Sequence, residues 1–316
     1  MSEELLAQLM EWGYQGRIVS VEHLGDLQRL MEEQVEQGLI DAELRQTYLA
    51  GFTFTPPSSL PGARSILVVA VPEPQIGVSF TWNGERVHTA IPPTYGERKK
   101  TRRIRERLAQ AFDPAGYRIA KAVLPKKLLA VCSGLAAYGK NNITYVPGMG
   151  SFHGLVTIYS DLPAPDDGWW QPQMMESCRN CSACEHHCPT GAISAGRFLL
   201  HAERCITFHN EQPGDISFPA WMDPCWHNCL IGCSHCQNIC PQNREFWQWV
   251  EKGAEFSEEE TTLLLEGVRP EQLPTATLEK LERLDLAAYA DLLPRNLGAL
   301  LDACEMRHGN THSLKE

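Results

Sequence analysis

Apolar positions first recur with a helical period: Leu5, Leu6, Leu9 and Met10 share a face behind Ser2, a capping residue, with Glu3 and Glu4 in the first turn where the helix dipole favours acids. Arg17 to Val21 reads as a short strand and Leu27 to Val35 as an amphipathic helix. From Ser65 to Val71 the pattern becomes an unbroken apolar, β-branched run bounded by Pro61-Gly62 and Pro72, which predicts a central strand. Ile104, Leu108 and Phe112 return to helical spacing, and Leu155 to Tyr159 reads as a further strand. The alternation predicts an N-terminal domain of α/β or α+β class over residues 1–165. Asp161 to Gly168, rich in proline and acid, marks the boundary. A cysteine-rich domain is expected over 170–245 and a helical tail over 246–316. Phe246, Trp247, Trp249 and Val250 would open that tail, Ser257 would cap a helix ahead of Glu258 to Glu260, and another helix would run near Leu278 to Leu293.

The cysteines change this picture most. Cys178-x-x-Cys181-x-x-Cys184-x-x-x-Cys188-Pro189 has the bacterial ferredoxin spacing, in which three thiolates hold one 4Fe-4S cube and the fourth, before proline, reaches a second cube. By the same rule Cys240, before Pro241, returns to the first cube, and Cys188 joins Cys205, Cys233 and Cys236 on the second. The 27 residues between Cys205 and Cys233 read as an insertion loop. Zinc held by Cys-x-x-Cys pairs and a disulfide framework are the competing readings, and neither asks for two Cys-Pro ends. Cys225 and Cys229 precede Cys233 at four-residue intervals, which would put all three on one face if the segment is helical. As alternate ligands, a redox pair or axial ligands they would matter; as small buried residues they would not. Cys132 and Cys304 read as structural. His186 and His187 tune a cluster or lie on the surface, and Trp221, Trp226, Trp247 and Trp249 read as cover for the clusters.

At 316 residues, 43% of them hydrophobic, the chain has room for two domains and a sizeable core. No apolar run is long enough to span a membrane, and the start, Met1-Ser2-Glu3-Glu4, carries acids where a signal peptide needs bases. A cytoplasmic location is expected, one that suits reduced thiols. The net charge of −11 disfavours polyanionic partners, with no DNA and no membrane among them. One local exception is Arg98 to Arg107, with seven basic residues in ten; it reads either as a solvated helix face or as a phosphate contact. Glycines at 134, 139, 148, 150 and 154 permit close backbone approach around a large flat ligand, or are simply turns. They do not form a phosphate-binding loop, since the Gly139-Lys140 pair is followed by Asn141.

With both stretches considered, the chain resembles the epoxyqueuosine reductase family, corrinoid-dependent relatives of the reductive dehalogenases. Gly134-Leu135, Gly139-Lys140-Asn141, Gly150-Ser151 and Ser160-Asp161-Leu162 are similar to its catalytic-domain signatures, and Cys178 to Asn243 to its double-cluster module. Leu293 to Leu297 is similar to the start of its helical-repeat end.

The resemblance implies two 4Fe-4S clusters passing electrons from a ferredoxin or flavodoxin to a base-off cobalamin, which drives a two-electron reduction. It places Ser133, Gly134, Lys140, Asn141, Tyr145, Gly150 and Ser151 toward the corrinoid. Where the family carries an acidic proton donor this chain has Ala120, beside Lys121, and Lys126 and Lys127 stand where the family usually has Glu and Lys. Lys121 and Tyr138 are the substitute proton donors considered. With the acidic net charge, this departure points to a paralogue acting on a small molecule or another protein's corrinoid, with tRNA the family alternative. A second reading is an electron carrier or activator that reduces a partner's corrinoid or flavin without substrate chemistry of its own.

Overall fold

The protein was described from a computed structural model that covers residues 2–41, 44–95, 97–112, 116–165 and 168–312; for residues 47–48, 97–100 and 303–312 only the backbone is described. In chain order it forms α1 (Ser2–Glu11), β1 (Gln15–Ser20), α2 (Leu24–Glu36), β2 (Ser65–Pro72), β3 (Gln75–Trp82), β4 (Glu85–Ile91), α3 (Glu97–Phe112), β5 (Ile119–Lys121) and α4 (Lys126–Cys132). These are followed by β6 (Ala137–Tyr138), β7 (Thr144–Tyr145), β8 (His153–Ser160), α5 (Ala183–His187), α6 (Ile206–Asn210), α7 (His235–Asn238), β9 (Val250–Phe256), α8 (Glu258–Leu265), α9 (Thr275–Arg283) and α10 (Leu293–His312). Contacts divide the chain into two units: Met1–Glu73 with Arg98–Glu185 and Ile193–Ala202, and Pro74–Glu97 with His186–Ala192 and Glu203–Glu316.

The first unit is built on a four-stranded sheet in the order β1-β2-β8-β5. Each neighbouring pair is antiparallel. The apolar run predicted as a central strand is β2, and the two-residue period of a strand explains why it is apolar throughout. Ile66, Val68 and Ala70 enter one core with Leu24, Leu27 and Leu30 of α2 and Leu128 and Leu129 of α4. Leu67, Val69 and Val71 enter another with Leu5 and Leu9 of α1 and Ile104, Leu108 and Phe112 of α3. Helices therefore cover both faces of the sheet. Met10, expected on the inner face of α1, is instead 66% exposed.

A buried histidine pins the β6–β7 hairpin to β8. His153, at the start of β8, is 3% exposed, and its Nδ1 lies 3.2 Å from the Gly150 carbonyl while Nε2 lies 3.0 Å from the Thr144 hydroxyl. Because a carbonyl only accepts, the proton sits on Nδ1 and Nε2 accepts from Thr144.

The second unit holds a three-stranded sheet, β4-β3-β9, that the apolar pattern did not predict. Asn83 and Gly84 both take positive φ, 52° and 76°, the geometry of a tight two-residue hairpin turn between β3 and β4. β9 adds parallel to β3. This corrects the expectation of a helix opening near Trp247: Ala254 and Phe256 are buried at a spacing of two, and a Cβ on Gly253 would stand 2.6 Å from the Gly77 carbonyl, so glycine lets the strands close up. The helix expected near Leu278 to Leu293 is two elements, α9 and α10, with Asp285 at φ 60° in the turn that ends the first. Ser257 caps α8 as predicted, in a full capping box with Glu260.

Arg295 of α10 organises the stretch between Cys205 and Cys233. Its guanidinium stacks over Phe218 at 4.5 Å and donates to the carbonyls of Ile216 (2.6 Å), Pro213 (2.9 Å), Gln212 (3.0 Å), His209 (3.2 Å) and Asn210 (3.2 Å). Asn296 adds bonds to the carbonyls of Asn210 and Leu230, each 3.0 Å. Gly214 is packed so closely that a Cβ would lie 1.8 Å from the Asp291 carbonyl. The insertion loop is thus tied down by a planar fork whose donors match several carbonyls at once, which a lysine cannot reproduce. Arg295→Lys is expected to lower stability by about 2 kcal/mol in urea denaturation, since a single ammonium cannot reach the several carbonyls that the fork serves.

Burial lowers the His153 pKa from 6.5 to about 4, with Lys127 acting in the same direction and the Gly150 carbonyl opposing it. The unfolded chain therefore binds a proton between pH 6.5 and about 4 that the folded chain refuses, and stability falls as pH drops through that window. The contribution lost is about 3 kcal/mol. Urea denaturation at pH 7 and pH 4.5 is expected to show a smaller difference in His153→Gln than in the parent protein; an equal difference would assign the pH dependence to other groups.

Candidate redox site

Three of the ferredoxin-type thiols belong to the first unit. Cys178 closes a 3-10 turn, Glu176–Cys178, Cys181 follows with its amide 3.4 Å from the Cys178 carbonyl, and Cys184 sits in α5. Cys178 and Cys184 are buried, each 8% exposed, and Cys181 is half-buried. Beside them Lys140 Nζ donates to the Cys181 carbonyl at 2.5 Å and stands 3.9 Å from Glu185 Oε2.

The second unit brings together Cys188, Cys205, Cys233 and Cys236. Burial pushes the Cys205 thiol up, and Cys188 adds to the effect. Burial likewise pushes Cys233 well up, followed by the fields of Cys236, Cys229 and Cys205. The backbone around these cysteines is braced locally. Cys188 lies 3.4 Å from the Thr190 hydroxyl, and Cys205 sits at the start of α6. Gly232 at φ 71° turns the chain into Cys233, and a Cβ there would strike the Tyr95 ring at 2.5 Å. Asn210 donates to the Gly232 carbonyl at 2.7 Å, and Asn243 to the Gln237 carbonyl at 3.0 Å. Cys240 is buried just before a 3-10 turn, Pro241–Asn243.

None of the described cysteines forms a disulfide. Burial and neighbouring thiols oppose ionisation of Cys205 and Cys233, which a compensating cation would reverse, so this donor set fits a thiolate-bound cluster. Among the described residues no three Cys, His, Asp or Glu side chains are gathered tightly enough to hold a single ion. A cube asks for less convergence, because its thiolates bind separate irons.

The Cys225, Cys229, Cys233 spacing does not lie on one helix face. Pro224–Trp226 is a single 3-10 turn capped by Asp223, and Cys229 then bridges to Ala90 in an extended segment. His227 is already extended, and Gly232 at φ 71° breaks the chain direction before Cys233. Cys229 is fully buried, 3.3 Å from the Ser234 hydroxyl, and burial raises its pKa to about 11. His186 and His187 are exposed, with the His187 ring 5.5 Å from that of His235. Trp221, 48% exposed, packs edge-on to His209 and beside Trp226. The Cys304 side chain lies outside the described residues.

The residues expected to face a corrinoid separate into groups. Ser133 and Gly134 line an open cavity of about 690 Å³ in the first unit, with Ala136, Ala137, Trp170 and Met174. A Cβ on Gly134, at φ 72°, would come within 3.2 Å of the Trp170 indole, so glycine leaves room for that ring. The small and flat lining fits part of a flat macrocycle, and the volume is that of an ordinary ligand site. Asn141 and Tyr145 are instead buried and bonded to each other at 3.0 Å, beneath Gly139, while Gly150 and Ser151 are buried in the turn before β8. Of the proton-donor candidates, Lys121 is exposed at the end of β5, and Tyr138 is buried, its hydroxyl pKa pushed up by burial. Neither lines the cavity, and Ala120 is buried beside Tyr159. Arg17 and Glu176 do line it. They come from elements far apart in the chain, and no motif marked them. Within the basic run, Arg107 lies over the Trp12 ring at 4.1 Å, and Arg102 and Arg103 are exposed; the side chains of Arg98, Lys99 and Lys100 lie outside the described residues.

Residues 177–243 match the 4Fe-4S double cluster binding domain. The epoxyqueuosine reductase of Pseudomonas aeruginosa is 32% identical over 246 residues, which cover 77% of this chain and 62% of that protein. The enzyme of that name from Staphylococcus aureus is 30% identical over 200 residues, covering 60% and 50%. The chain thus spans 62% and 50% of the length of these two curated relatives. The structure of epoxyqueuosine reductase from Streptococcus thermophilus matches with a TM-score of 0.67 at 17% identity, over 100% of this chain and 84% of that one. An epoxyqueuosine reductase crystallised with a tRNA-Tyr epoxyqueuosine-modified stem loop matches with a TM-score of 0.65 at 19% identity, over 94% and 79%. In sequence and in fold the chain is thus similar to epoxyqueuosine reductases, and its cysteine-rich stretch matches a double-cluster domain.

Proposed function

We propose that the chain is an iron-sulfur and corrinoid-dependent oxidoreductase of the epoxyqueuosine reductase type. The observation that carries this reading is the neighbourhood of Cys205 to Cys188 and of Cys233 to Cys236 and Cys205, within a stretch that matches a double-cluster domain. In this reading Cys178, Cys181 and Cys184, completed by Cys240, hold the other cube. A low-potential ferredoxin or flavodoxin supplies the electrons. Cobalamin would supply low-valent cobalt for the two-electron step. The chain's share is to place Ser133, Gly134 and the small lining of the first unit's cavity against the ring and to keep water from the thiols. An epoxide is the substrate group the relatives' name points to; its reduction takes two electrons and two protons, giving an alkene and water. The net charge of −11 favours a substrate smaller than tRNA, with α3 the stretch of the chain that suits a polyanion.

A second reading, an electron carrier or activator for a partner's corrinoid or flavin, is favoured by one observation: Ala120 stands where the family has an acid, and neither Lys121 nor Tyr138 lines the described cavity.

Anaerobic purification with cobalamin supplied, followed by iron and cobalt analysis, separates the two. About eight irons with one cobalt per chain, and reductant-dependent conversion of an epoxyqueuosine stem loop or a small epoxide, are the expected results for the enzyme. The same iron without cobalt after incubation with excess cobalamin would leave the carrier. Cys233→Ser is expected to lower iron toward half, and a variant that keeps two complete cubes would overturn the ligand assignment.

A further inference from the structure

We propose that Lys140 raises the reduction potential of the cube held by Cys178, Cys181 and Cys184, by fixing a positive charge against the backbone of that cube's ligand turn. This rests on the assignment of those three thiols to one cube. The family resemblance directs Lys140 toward the corrinoid, and the geometry directs it elsewhere. Its Nζ lies 2.5 Å from the Cys181 carbonyl, against 3.9 Å to the Glu185 carboxylate, and its side chain is only 10% exposed.

The loop that delivers Lys140 has no slack. Before it, a Cβ on Gly139 would lie 2.5 Å from Asn141 Oδ1 and 2.5 Å from the Tyr145 ring, so the backbone there is packed against side chains of its own hairpin. After it, Asn142 takes a left-handed conformation, φ 54°, and its side chain joins the Phe198 carbonyl at 2.7 Å and the Leu200 amide. The same 193–202 segment steadies Glu185, whose Oε1 accepts the Ala195 amide at 3.2 Å. Lysine and glutamate are therefore placed by one connected set of bonds, with the ammonium turned to the cluster turn first.

A cube with four thiolate ligands is anionic, and taking one electron from a low-potential donor adds one more negative charge. A fixed cation nearby favours the reduced form over the oxidised form, and at low exposure salt screens it little. Glu185, at 27% exposure, acts in the opposite sense. Lys140 is in this account a positioning and potential-setting residue of the electron path.

The test is a redox titration of the anaerobically reconstituted full chain, followed by electron paramagnetic resonance, with iron measured on the same samples. Lys140→Met is expected to retain about eight irons and to shift one cube so that its reduced-to-oxidised ratio at fixed potential falls about tenfold, about 59 mV for a one-electron couple. The other cube should not move. Lys140→Arg should restore the parent midpoint, and Glu185→Gln should shift the same cube the other way. If Lys140→Met loses iron, Lys140→Gln, which keeps a donor without the charge, takes its place with the same expectation. Full iron with both midpoints unchanged, or an arginine variant that shifts like methionine, would overturn the proposal alone. A parent protein without cubes would overturn the ligand assignment as well, and the iron count tells the two failures apart.

Discussion

Partly desolvated thiols held in one another's field are the constraint on which the cysteine-rich part of this protein depends. Desolvation and mutual repulsion oppose their ionisation, as the raised Cys205 and Cys233 show. Only a tightly bound cationic cluster reverses that cost, so the local fold has to hold cysteines ready at separate corners rather than around one point. Short elements achieve this: 3-10 turns before Cys178 and after Cys240, and single helical turns at Cys184, Cys205 and Cys236. Polar braces such as Asn210 and Asn243 fix backbone carbonyls next to Cys233 and Cys236.

The rest of the second unit reads as support for that arrangement. A loop of the length found between Cys205 and Cys233 would be floppy on its own, yet Arg295 and Asn296 collect its carbonyls onto α10. The resemblance at Leu293 to Leu297 therefore has a local physical role, in which a planar guanidinium joins a helix to the chain between Cys205 and Cys233. In the first unit a fully buried strand is packed by helices on both faces, giving a rigid base from which the glycine-containing loops extend. Function can be carried by those loops because the sheet beneath them is overdetermined.

Lys140 shows how a motif residue can turn away from the cavity that its neighbours line. Ser133 and Gly134 line a cavity, whereas Lys140, only a few positions on, is turned to the Cys181 carbonyl. The intervening β6 strand and the tight turn at Gly139 reverse the chain, so adjacency in the motif does not become adjacency in space.

Local spacing alone determined much of this protein. The double-cluster motif, the double-sided apolar strand β2, the inner face of α3 and the cap at Ser257 were all legible, because each depends on periodicity or on chemistry within a few residues. The Asn83-Gly84 hairpin carried a local signal of the same kind that an apolar-pattern reading passes over. Only the tertiary structure decided that Val250–Phe256 is a strand, since its partner β3 lies far away in the chain and its closeness comes from Gly77 meeting Gly253. It also decided that Cys229 turns to Ser234 in an extended segment, that Met10 is exposed, and that Arg17 and Glu176 share a cavity. The physical reason is the same in each case: side-chain period reports which face of an element is apolar, whereas partners and cavities arise from contacts between segments whose separation the period does not encode.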